Sequence, residues 1–123
     1  GIDVGVGQVE RLTIERHGGC SEIFFGELEG AIWTELVGEH KERLKNFKGF
    51  QAPGGESLKE MEHRVLEFVE GLGSGRHLVF THGGVVRQLL HGIGHTQFVK
   101  NCTVVGLNWT LNQLEFIREP TPQ

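Results

Sequence analysis

Apolar and polar positions change period several times along the chain, and each change marks an element. Residues 10–15, Glu-Arg-Leu-Thr-Ile-Glu, alternate and predict a strand with Leu12 and Ile14 inward. A helix is expected from Ala31 to about Val37, and a second, basic one from about Glu39 to Phe47. The clearest helix begins at Ser57, an N-cap whose partner Glu60 completes a capping box. Leu58, Met61, Val65, Phe68, Val69 and Leu72 then share one helical face, and Gly73 and Gly75 end it. Residues 77–81 read as a buried strand, 84–92 as an amphipathic helix. Two last runs, about 103–109 and 111–118, predict a hairpin pivoting near Asn108 to Asn112. Between these lie a glycine-punctuated loop at 16–30 and a second loop at 49–55, broken by Pro53-Gly54-Gly55. Residues 1–8 are glycine-rich and read as loose. Alternating strands and helices imply an α/β sandwich with a mostly parallel sheet, whose ligands sit outside the carboxyl ends of the strands.

Composition narrows the function classes. At 123 residues the chain is expected to form a single domain, 1–123, large enough for one core. A net charge of −4 argues against a nucleic-acid-binding surface. No run reaches the length of a membrane span, and no secretion signal opens the chain. Cys20 and Cys102 are far apart, which fits free, partly buried thiols in a reducing cytoplasm better than a disulfide framework or a zinc site.

The strand at 77–81 ends at His82, and Gly83-Gly84 open the next helix. Unpaired N–H groups and the helix dipole favour an anion there, and the glycines let an oxyanion approach the backbone. Residue 82 alone is equally readable as a plain turn residue. The strand at 10–15 also runs into a histidine and glycines, Arg16-His17-Gly18-Gly19. With the two strands parallel and adjacent, His17 would face His82, and Arg16 would offer a guanidinium to a phosphate. A neutral imidazole there is a candidate nucleophile, and Glu22 a candidate general acid. A solvent-exposed polar strand end is the plainer reading of Arg16 and His17. His91 and His95 have metal-ligand spacing, but intervening glycines oppose a continuous helix. Arg87 is expected on a helix surface or against a carboxylate. Glu29 is expected to hold its loop, and Glu56 to tie its loop to backbone donors.

Three segments carry a family resemblance: Ser-Glu-Ile-Phe-Phe-Gly-Glu-Leu-Glu-Gly at 21–30, Pro-Gly-Gly-Glu-Ser-Leu at 53–58 and Phe-Thr-His-Gly-Gly-Val-Val-Arg at 80–87. In order and spacing they resemble the histidine phosphatase superfamily, in the branch of phosphoglycerate mutases and small phosphatases of the α-ribazole phosphatase kind. The resemblance implies a three-layer α/β sandwich, no metal or other cofactor, and a small phosphorylated metabolite as substrate. It implies that Glu22 is the proton donor and that His82, with Gly83, contacts the phosphoryl group. Arg16-His17-Gly18 is similar to the family's opening motif, whose arginine binds phosphate and whose histidine is phosphorylated.

In the family several dozen residues separate that motif from the glutamate loop; here only four lie between His17 and Glu22. Two readings stay open. In one, the motif is genuine and the chain is a metal-independent phosphomonoesterase working through a phosphohistidine. In the other, the tripeptide is fortuitous and the chain is an incomplete member that binds anions or a protein. Mutase-type transfer is the lesser alternative, since the short connections leave little for a lid. A missing strand and helix would uncover apolar surface, so a homo-oligomer is expected.

Overall fold

A computed structural model of the chain describes residues 13–30 and 38–121. The expected helix at 31–37, the loose residues 1–8 and residues 10–12 of the expected first strand lie outside them. The described elements are α1 (Glu39–Asn46), α2 (Leu58–Gly71), α3 (Gly83–Gly92), β1 (Val104–Asn108) and β2 (Gln113–Arg118). Short 3-10 turns occur at Gly18–Cys20 and Gly26–Leu28. The fold is mixed α/β.

Helix α2 forms as its sequence predicts. Ser57 accepts from the Glu60 N–H while the Glu60 carboxylate accepts from the Ser57 N–H, both at 3.0 Å, satisfying two otherwise orphaned donors. Its apolar stripe enters the core: Leu58, Met61 and Val65 are buried, with Phe68, Val69 and Leu72 half-buried. Val85 of α3, Ile23, Phe47, Phe50 and Ala52 complete that core. Helix α1 stops because Phe47 turns left-handed (φ 54°), and the Lys48 N–H closes back onto the Arg43 carbonyl at 2.9 Å.

The only sheet among the described residues is the antiparallel β1–β2 hairpin, irregular between Gly106 and Leu107. The Phe116 ring lies over Gly106, where any Cβ would collide with it. Two expectations need correction. Residues 13–15 form no strand, and Ile14, expected inward, is 58% exposed. The run at 77–81 pairs with no strand among the described residues, and Leu78, Val79 and Phe80 are all exposed. A buried strand needs partners on both edges and cover on both faces; the described residues supply neither. No described helix is long and apolar enough to cross a membrane.

Candidate active site

The glutamate loop interlocks with the second loop, and backbone contacts hold the two together. Gly26 of the glutamate loop and Gly55 of the second loop are packed main chain against main chain. A Cβ on Gly26, which is also left-handed at φ 53°, would collide with Pro53 and Gly55. A Cβ on Gly55 would stand 2.6 Å from the Phe24 carbonyl. Two backbone bonds stitch the loops together, Glu27 N–H to Pro53 O at 2.9 Å and Glu56 N–H to Phe24 O at 2.8 Å. Within the glutamate loop, the Glu29 carboxylate accepts from the Phe25 N–H at 2.8 Å, so Glu29 does hold its loop.

Arg64, on α2, ties this assembly to the turn that follows His17. Its guanidinium donates to the carbonyls of Gly19 at 2.9 Å and Ser21 at 2.7 Å, and pairs in a fork with Glu56, both bonds at 2.9 Å. Glu56 also accepts from the Phe24 N–H at 3.3 Å, as expected of a residue tying its loop to backbone donors. The hydrogen bond from Arg64 holds the Glu56 carboxyl below its ordinary value against the opposing effect of burial. Glu56 in turn raises the Arg64 pKa.

The converging loops deliver Glu22 to α3. One carboxylate oxygen accepts from the Gly84 N–H at 3.1 Å and the other from the Ile23 N–H at 3.0 Å. A Cβ at 84 would overlap the Glu22 carboxylate, so a larger residue there would push that side chain off the helix end. His82 is the N-cap of α3, but its imidazole caps nothing and is exposed. The N–H of Gly83 has no partner among the described residues. Thr81 donates its hydroxyl to the Cys20 carbonyl, bringing the turn after His17 against the same helix end. Glu22, His82 and Gly83 thus line a cleft of about 210 Å³ together with Lys100 to Thr103. Glu22 also lines a second cleft, of about 430 Å³.

Arg16 and His17 line neither cleft. The His17 Nδ1 accepts from the Gly19 N–H at 2.9 Å, and its ring packs against Phe68 of α2, centroids 4.8 Å apart. Because Nδ1 spends its lone pair on Gly19, a neutral ring carries its proton on Nε2. Arg16 is exposed and makes no hydrogen bond or ion pair among the described residues. The structure therefore gathers Glu22, His82 and Gly83, and leaves Arg16 and His17 outside their cleft.

Two arginines behave differently from their sequence surroundings. Arg64 sits four residues after Glu60, a spacing that reads as a surface ion pair; its true partner, Glu56, precedes the helix. The sequence carries no signal for its bonds to residues 19 and 21. Arg87, expected at the surface or against a carboxylate, is instead 9% exposed and faces carbonyls. It donates to the carbonyls of Leu44 at 2.9 Å and Lys45 at 2.6 Å, at the negative end of α1. Phe47 and Phe98 sandwich the guanidinium, their centroids 4.5 and 3.8 Å from its carbon. Burial lowers its pKa. His91 rests against the Phe47 ring. Both cysteines are free; Cys20 is half-buried, but Cys102, expected partly buried, is exposed.

These features have close relatives. A family model described as histidine phosphatase superfamily (branch 1) matches residues 5–120. Crystal structures from Thermus thermophilus superpose well. For the protein TTHB049 the TM-score is 0.78 at 38% identity, covering 85% of this chain and 60% of that one. For a structure described as a phosphoglycerate mutase the TM-score is 0.83 at 36% identity, covering 90% of this chain and 64% of that one. The chain thus spans under two thirds of the length of these relatives. No curated protein matches it. With nearly its whole length matched by the family model, the chain belongs to branch 1 of the histidine phosphatase superfamily.

Proposed function

We propose that the cleft at the amino end of α3 is the phosphoryl site of a metal-independent phosphomonoesterase. One observation carries this reading: a carboxylic acid and an uncommitted imidazole, Glu22 and His82, share a cleft with the free N–H of Gly83. His82 and the Gly83 N–H stabilise the equatorial oxygens of the transferring group. Glu22 protonates the departing alkoxide, and its carboxylate then takes a proton from the water that attacks the phosphoenzyme. His17 is the proposed nucleophile, with Arg16 beside it for the phosphate. To attack, its ring must leave Gly19, which either frees the Nδ1 lone pair directly or lets the proton pass to Nδ1 and frees that of Nε2.

That requirement favours a second reading, in which this chain binds phosphate at His82 and Gly83 without turning it over. The proposal extends to the fold. The run at 77–81 has the composition of a central strand in the parallel sheet of a three-layer sandwich, and a second copy of the chain covers its exposed apolar faces. A small phosphorylated metabolite and a cytoplasmic setting belong to the same reading.

Hydrolysis of 4-nitrophenyl phosphate in a chelator tests these alternatives. His82→Ala and Glu22→Gln are each expected to lower kcat/KM on the order of a hundredfold or more. Equal loss in His17→Ala supports the phosphohistidine, whereas activity surviving that change removes His17 from the mechanism. Phosphate binding that is abolished in His82→Ala, without hydrolysis by the parent chain, selects the second reading. A chain that neither hydrolyses the ester nor binds phosphate defeats both.

A further inference from the structure

The cleft at the amino end of α3 has one fixed cation, and that cation is already paired. Of the described residues lining the cleft, Lys100 alone carries a permanent positive charge, and Glu22 alone a carboxylate. The Thr103 N–H donates to the Lys100 carbonyl at 3.2 Å, closing the turn that leads from the cleft into β1. In the hairpin Val104 pairs with Arg118, so Glu119, one residue past the end of β2, comes level with that turn. Its carboxylate stands 3.7 Å from the Lys100 Nζ, an ion pair too long for a good hydrogen bond. Both side chains are mostly exposed, at 75% and 56%. Water screens such a pair, and its hold is weak. Neither side chain makes another hydrogen bond or ion pair among the described residues.

We infer that Lys100 is the counter-charge for the phosphoryl group in this cleft, and that Glu119 is the resident anion it gives up when phosphate enters. The inference rests on the proposed phosphoryl site and deepens it, adding a binding residue and a competitor to His82 and the Gly83 N–H. A phosphate monoester carries close to two negative charges at neutral pH. A neutral imidazole and an N–H dipole stabilise that charge but do not balance it, and an ionised Glu22 adds to it. An ammonium on a flexible four-carbon stem can turn from one anion to another without moving the backbone. The exchange favours phosphate, because its charge is larger and because the amino end of α3 attracts the same group. Glu119 therefore lowers phosphate affinity only by the strength of its screened pair with Lys100.

Calorimetric titration with inorganic phosphate tests this whether or not the chain turns over. Lys100→Met is expected to weaken phosphate binding about fivefold, and Lys100→Arg to keep most of the parent affinity. Glu119→Gln is expected to tighten binding about twofold, and to change nothing once Lys100→Met is present. The gap between the parent and Lys100→Met should narrow at high salt, as an exposed charge contact does and a packing contact does not. Phosphate affinity indifferent to both Lys100→Met and Glu119→Gln overturns the inference and leaves the phosphoryl site standing. A loss in Lys100→Met that salt does not narrow and Lys100→Arg does not avoid makes the residue a structural one, which also overturns it. A parent chain that binds no phosphate brings down the phosphoryl site and the inference together.

Discussion

The interlocked loops around Glu22 and the run at 77–81 sit side by side, yet they are finished to different degrees. In the loops, main chain meets main chain at Gly26 and Gly55, and a guanidinium, a carboxylate and two stitching bonds occupy the polar groups. In the run, three consecutive large apolar side chains face outward, and no described strand takes up the backbone. The loops are complementary within the chain itself. The run is complementary to something the described residues do not contain, although its own carboxyl end, Thr81 and His82, helps form the cleft. Polar closure of a site and apolar cover of a run are thus separate achievements, and the described residues show the first around Glu22 without the second at 77–81.

The sharpest way to break this contrast is at the closest approach. Gly26→Ala adds a Cβ to a left-handed residue and drives it into the neighbouring loop. It is expected to cost about 3 kcal/mol or more in urea unfolding. Gly54→Ala is the control, because residue 54 is also left-handed (φ 70°) but a Cβ there meets nothing within 4 Å. It should cost only about 1 kcal/mol, the conformational part alone. Similar losses in both variants would mean that the loops do not pack as tightly as described.

Next in size is the ion pair. Glu56→Ala leaves a half-buried guanidinium with carbonyls but no counter-charge, and should cost about 2 kcal/mol at neutral pH. The sign of its pH dependence follows from the lowered Glu56 pKa. The unfolded carboxyl takes up its proton first as pH drops, so the stabilisation is whole above the ordinary value of 4.5 and drains away below it. Parent and variant stabilities should therefore converge in acid unfolding series below about pH 4.5. A constant gap down to pH 3 would assign the loss to packing instead.

The smallest effect on the folded chain is expected at the uncovered run. Leu78→Lys and Phe80→Lys should each change the stability of the isolated chain by under about 0.5 kcal/mol, as surface changes do. The same changes should abolish self-association in sedimentation velocity, since the parent's apolar faces are expected to pair between copies. A parent chain that stays monomeric at high concentration contradicts the second half of the comparison.

How much of this was legible in the sequence varies by residue. The capping box at Ser57 and Glu60, the breaker at Pro53-Gly54-Gly55 and the hairpin around Asn108 to Asn112 could all be read directly. The role of Glu29 was legible too, since its partner lies four residues away. Ile14 misled, because alternation over six residues predicts a strand but cannot supply a neighbour for it. Arg64 and Arg87 were opaque. Each is a charged residue on an amphipathic helix, which ordinarily means solvent, and each is spent on carbonyls more than forty residues away.

The family motifs singled out Glu22 and His82, but their meeting in one cleft is a tertiary event. Glu22 reaches the Gly84 N–H across 62 positions of chain, and Thr81 reaches the Cys20 carbonyl across 61. By itself the sequence determined the helices, their caps and the turns, because those depend on groups within a turn or two of one another. Only the tertiary structure decided that His17 would lean on Phe68, that Arg64 would clasp the neighbouring loop, and that the run at 77–81 would lie open. Those outcomes hinge on which distant groups arrive to satisfy a donor or cover an apolar face, and no local pattern encodes an arrival.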